Sequence, residues 1–143
     1  MRCMVGFLLL LTLNQNTKAQ DLSEHRWNDR VLLLLTLDTA KSTYKSQVKF
    51  LTDSIRGLEE RKLVVYHVTP RAFKKGLQSK ALWQQSAALF ERYVRYPNVF
   101  QVTLIGLDGG VKLQKEGRLS TKELFRAIDA MPMRASEMRR KNQ

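Results

Sequence analysis

The chain has 143 residues, with 25 lysines and arginines against 13 acids and a net charge of +12. That length suits one ordinary domain. Its single cysteine, Cys3, stands at the extreme amino terminus, which leaves the rest of the chain without thiol chemistry.

The first segment predicts export. Arg2 precedes the apolar run Val5–Leu13, and Thr17-Lys18-Ala19 puts small residues where a signal peptidase needs them. The run is too short to cross a bilayer, which takes about 20 apolar residues. Residues 1–19 therefore read as a signal peptide cleaved after Ala19, and residues 20–143 as one secreted or periplasmic domain with no transmembrane span. Cleavage removes Arg2 and Lys18 and no acid, so 23 basic residues face 13 acids, a net +10. Such a charge favours anionic partners. Export points away from nucleic acid and toward an anionic polysaccharide or another extracytoplasmic protein.

Val31–Leu37 is apolar on both parities and too short for a typical helix, the pattern of a central strand buried on both faces. A polar turn follows, with Ser42 as the expected helix N-cap. Tyr44, Val48, Leu51, Ile55 and Leu58 then recur at spacings of four, three, four and three, an amphipathic helix. Leu63–Thr69 reads as a second buried strand closed by Pro70. Residues 71–80 are basic and read as a loop, and Leu82–Tyr93 reads as a helix. Phe100–Leu107 is a third strand. Asp108-Gly109 signals a hairpin into an alternating edge strand, Val111–Lys115. Ser120 and Glu123 form a capping box for a last helix, which Pro132 should stop. The basic tail from Arg134 should fray. His67 reads as a satisfied core or edge histidine and His25 as exposed. Two histidines without cysteine do not suggest a metal site, and no cofactor is expected.

The order β-α-β-α-β-β-α, a central mixed sheet flanked by helices, is the thioredoxin-like α/β arrangement. The residues also resemble a family. Arg26, Trp27 and Arg30, the run around Asp108 and Gly109, and Asp129-Ala130-Met131-Pro132-Met133-Arg134 with Glu137 behind it are similar to the exported bacterial domain of unknown function called family 4174. Animal extracellular proteins of the equarin and sushi-repeat type share that domain. The resemblance implies a thioredoxin-like fold, an extracytoplasmic location and no established activity or catalytic residues.

Thioredoxins place their redox pair just past the first buried strand. Here that place holds Asp38–Thr43. Gln101 stands where their cis-proline would be. Thr39-Ala40-Lys41-Ser42 has the peroxiredoxin Thr-x-x-Cys spacing with serine instead of cysteine, and a hydroxyl does not replace a thiolate in peroxide reduction. The candidate sites are then the former redox face, Asp38, Thr39, Ser42 and Gln101, and a basic patch of Arg71, Lys74, Lys75, Lys80, Arg92 and Arg95. The expected function is binding without redox chemistry. The alternative is a thiol-independent enzyme at the former redox face, with Asp38, Thr39, Ser42 or His67 as its working groups.

Overall fold

The structure, a computed structural model, describes residues 21–143. The signal peptide expected over residues 1–19 lies outside the described residues. A short 3-10 helix (Leu22–His25) leads into six strands: β1 (Arg30–Leu35), β2 (Leu63–Val68), β3 (Ala72–Lys75), β4 (Gln84–Gln85), β5 (Gln101–Ile105) and β6 (Val111–Glu116). The helices are α1 (Ser42–Asp53), α2 (Ile55–Glu60), α3 (Ala88–Tyr93), α4 (Thr121–Asp129) and α5 (Pro132–Lys141).

The strands form one mixed sheet in the order β4-β3-β2-β1-β5-β6. β1 runs parallel to β2 and antiparallel to β5, and every residue of β1 is buried, as the unbroken apolar run from Val31 to Leu35 requires of all but Arg30. Alternation sends Leu32 and Leu34 to one face, where they meet Tyr44, Leu51, Leu124 and Ile128. Val31, Leu33 and Leu35 go to the other, against Tyr66, Phe73, Leu89 and Tyr93. The capping box forms as expected: Ser120 Oγ accepts from the Glu123 N–H, and Glu123 accepts from the Ser120 N–H. Gly109, at φ +80°, makes the turn between β5 and β6.

Several elements depart from the sequence reading. The 44–58 helix breaks at Ser54, and Ile55 turns outward. Tyr44, Leu51 and Leu58 keep the inner stripe. The expected loop 71–80 contains β3, and the expected helix 82–93 is β4 followed by the shorter α3. Thr69 closes the β2–β3 turn by pairing its backbone and hydroxyl with Ala72, and β3 then captures Gln84 and Gln85 at its open edge. Leu82 is left 82% exposed. The helix behind the capping box, α4, does stop before Pro132, with Met131 extended, but Pro132 then opens a further helix that was not expected. It occupies the first turn of α5, where its missing N–H costs nothing. The segment from Arg134, expected to fray, is the body of that helix.

Gly57 marks a close approach. A Cβ there would lie 2.6 Å from two ring carbons of Phe125, and the Arg61 guanidinium lies 4.0 Å from the centroid of the same ring. Gly57→Ala should gain about 1 kcal/mol of helix propensity, but overpacking costs about 1–3 kcal/mol. We expect a net loss of about 1 kcal/mol in urea unfolding. A gain would show that Phe125 has room to move.

Candidate functional site

Two ends of the sheet carry the sequence candidates. At the C-terminal end of β1, Asp38, Thr39 and Ser42 are all exposed. Asp38 shapes the turn: its Oδ1 accepts from the Ala40 N–H at 2.8 Å. Ser42 is not the N-cap. Lys41 takes that position without a side-chain bond, because the chain enters α1 one residue earlier than the hydroxyl needs. Gln101 is fully buried, and its amide is fully used. Nε2 donates to the Tyr93 carbonyl and Thr103 Oγ1, and Oε1 accepts from the Arg95 and Tyr96 N–H groups. It ties β5 to the chain leaving α3. A cleft of about 270 Å³ beside this end is lined by Asp38, Lys41, Thr43 and Phe100, among others, but not by Ser42 or Gln101.

His67 points into the core. The Tyr44 hydroxyl lies 2.6 Å from its Nδ1, and its Nε2 lies 3.0 Å from the Gly76 carbonyl. Since a carbonyl only accepts, Nε2 carries the proton and Nδ1 accepts from Tyr44. Burial, with Lys74 nearby, pulls the imidazole down to about 4. Burial also pushes the Tyr44 phenol up to about 12. His67 therefore does not join Asp38, Thr39 and Ser42 in a catalytic group.

The basic set is spread over the molecule. Lys74 and Lys75 are neighbours on β3, so their side chains leave opposite faces of the sheet. Lys74 lies over Trp83, while Lys75 pairs with Glu24 at 3.1 Å and lies over Tyr66. Arg71 lines a shallow cleft with Asp38 and Thr39. Lys80 is exposed in the loop before β4. Arg92 and Arg95 flank the end of α3, over Tyr93 and Tyr96 respectively.

The residues that carry the family resemblance gather at the opposite end, where β1 begins. One group is an ion network. Arg30 is fully buried. Its Nη1 donates to the Arg61 carbonyl, and Nη1 and Nη2 both reach Glu137 at 3.3 Å. Arg134, 4% exposed, binds Asp129, Glu60 and Glu137. Arg61 grips Asp129 through two nitrogens. Burial works to raise the Asp129 and Glu137 carboxyls, but the arginine hydrogen bonds outweigh it and hold both below the usual range. Met131, Pro132 and Met133 carry the chain from α4 into α5 and wall a small cleft beside Arg30. This network docks α5. Arg61 and Glu60 lie 68 and 74 residues from Asp129 and Arg134, so spacing alone does not reveal them. Glu137, three residues after Arg134, is the legible exception.

The second group surrounds a cavity of about 460 Å³ between the 3-10 helix, the β5–β6 turn and α3. Arg26, His25, Asp29, Asp108 and Gly109 line it, with Asp21 and Arg92. His25 was expected to be exposed but is buried. Its Nδ1 meets Asp29 Oδ2 at 2.8 Å and its Nε2 the Tyr66 hydroxyl at 2.9 Å. That tie across the sheet pins the 3-10 helix, which is a non-local contact no local pattern shows. Trp27 is held at φ +66°, with its N–H donating to the Leu107 carbonyl at 2.6 Å. A bulky residue in that region is strained by about 1–3 kcal/mol. The indole is nevertheless 58% exposed, with the Arg26 guanidinium over its ring.

Comparison with solved structures finds reduced 2-Cys peroxiredoxin of Plasmodium vivax similar, with a TM-score of 0.58 and 16% identity over 80% of this chain and 72% of that one. The likeness shows the fold, which is thioredoxin-like. A comparison with curated proteins found no significant match. A family model described as a domain of unknown function, DUF4174, matches residues 21–137, from the start of the 3-10 helix through Glu137 of the ion network. The chain thus belongs to the DUF4174 family.

Proposed function

We propose that this protein is an exported binding domain, cut after Ala19, that performs no thiol redox chemistry and holds an anionic polysaccharide. One observation carries the reading. Lys74, Arg92 and Arg95 each lie over an aromatic ring, at 5.5, 5.4 and 5.9 Å from its centroid, and none of the three makes an ion pair among the described residues. A cation resting on a ring keeps its charge available to an anion, and the ring beside it offers a flat face to a sugar. The lack of cysteine after Cys3 supports the non-redox part. The enzymatic alternative has less support, because His67 is locked inside the core.

The test is a salt gradient on a sulfated polysaccharide column. The wild type is compared with Lys74→Glu/Arg95→Glu and with Arg139→Glu/Arg140→Glu, a pair at the exposed end of α5. Truncating the tail is unsuitable, because it removes Glu137 from the ion network. Binding driven by counterion release weakens steeply with salt. We expect the first variant to elute at clearly lower salt than the second. If the wild type is not retained at about 0.15 M salt, where the screening length is roughly 8 Å, the partner is a protein instead. Amino-terminal sequencing of protein from the native host should read Gln20 first.

A further inference from the structure

The cavity beside Trp27 is built differently from the rest of the basic surface. Among the described residues, its acids have partners: Asp108 pairs with Lys112 at 2.7 Å, Asp29 with His25 at 2.8 Å, and Asp21 accepts from the Ser23 N–H. Its two guanidiniums, Arg26 and Arg92, make no ion pair there and rest only on Trp27 and Tyr93. With Asp108 neutralised by Lys112, the lining sets these two guanidiniums beside the carboxylates of Asp21 and Asp29, cations for an anionic group next to acceptors for hydroxyls. We propose that this cavity binds one uronic acid unit, with Arg26 and Arg92 holding its carboxylate while Asp21 and Asp29 accept hydrogen bonds from its hydroxyls.

Three features select that chemistry. Arginine forks match a carboxylate in geometry as well as charge. The lining carboxylates repel a bare, fully charged ion but accept from hydroxyls. Asp29 uses Oδ2 on His25, and its other oxygen has no partner among the described residues. The volume of about 460 Å³ lies within the range of small-ligand sites. The strained backbone at Trp27 fits this role too. It turns the indole out to solvent beneath the guanidinium of Arg26, which lines the cavity, whereas relaxing to negative φ would swing it elsewhere.

This inference rests on the polysaccharide reading, and its test separates the two. Trp27 and Trp83 are the only tryptophans. In the full chain carrying Trp83→Phe, Trp27 alone therefore reports by fluorescence, with calorimetry as a second readout. The probes are sodium glucuronate, glucose and sodium sulfate at matched ionic strength. Glucuronate should bind saturably and at least tenfold more tightly than either other probe. Arg26→Ala and Arg92→Ala should each weaken it at least tenfold, whereas Arg95→Ala, outside the cavity, should not. Both arginines are exposed, so the variants should keep the wild-type unfolding midpoint. No saturable glucuronate binding, equal binding of sulfate, or indifference to both arginine substitutions would overturn the proposal. If glucuronate fails while the wild type still elutes late from the polysaccharide column, only the cavity assignment falls. If the column also fails to retain it, the polysaccharide reading falls with it.

Discussion

Glu137→Ala is expected to destabilise the fold by about 3–5 kcal/mol, the range for removing one partner of a buried ion pair. Glu137 faces two guanidiniums at once, Arg30 and Arg134, and their side chains are 0% and 5% exposed. Without it, Arg30 keeps only the Arg61 carbonyl, and its Nε already has no partner. A charge in that position has lost its hydration and keeps only one neutral acceptor in exchange. Small domains are stable by only about 5–15 kcal/mol, so the loss is a large fraction of the whole. Glu137→Gln, which keeps an acceptor oxygen but not the charge, should fall between the wild type and alanine. Urea unfolding at neutral pH measures this. A loss below about 1 kcal/mol for the alanine variant would mean that α5 is held by packing and that the network behaves like a surface ion pair.

Stability should also fall by about 3 kcal/mol between pH 6.5 and pH 4, through His67. In the folded protein its imidazole titrates at about 4 rather than 6.5, first because it is buried and then because Lys74 opposes a second charge. Between those two values the unfolded chain takes up a proton that the folded chain refuses. Acid therefore favours unfolding throughout that window, and the contribution is fully present above pH 6.5. The hydrogen bonds agree with the sign. Protonating Nδ1 would set a donor against the Tyr44 hydroxyl, whose present role is to donate. His67→Gln can still donate to Gly76 and accept from Tyr44, but it does not titrate. Urea midpoints of both proteins at pH 7 and pH 4.5 test the claim. The variant should lose most of the slope. A wild type equally stable at both values, or a variant with an undiminished slope, would place the acid sensitivity elsewhere. Below pH 4 a further loss is expected as Asp129 and Glu137, held low by their arginines, take up protons.

The sequence by itself determined the features that depend on neighbours within a few residues. The leucine run of β1 has no polar parity, so it can only be a strand covered on both sides. Asp108-Gly109 supplies the positive φ its turn needs. Ser120 and Glu123 satisfy each other's orphan amides whatever the rest of the chain does. These elements, with the order of the main strands and helices, were enough to name the fold class. Tertiary structure decided the rest, because the deciding partner lies far away in the chain. Residues 72–75 look like a solvated basic loop until β2 supplies hydrogen bonds and Phe73 finds Tyr66. Arg134 looks like part of a fraying tail until Glu60 and Asp129 surround it. His25 looks exposed until Tyr66, 41 residues on, closes over its ring nitrogen. Charge density along the chain could not show that Lys74 and Lys75 part to opposite faces, because that division depends on the pleat of the sheet to which their strand is joined.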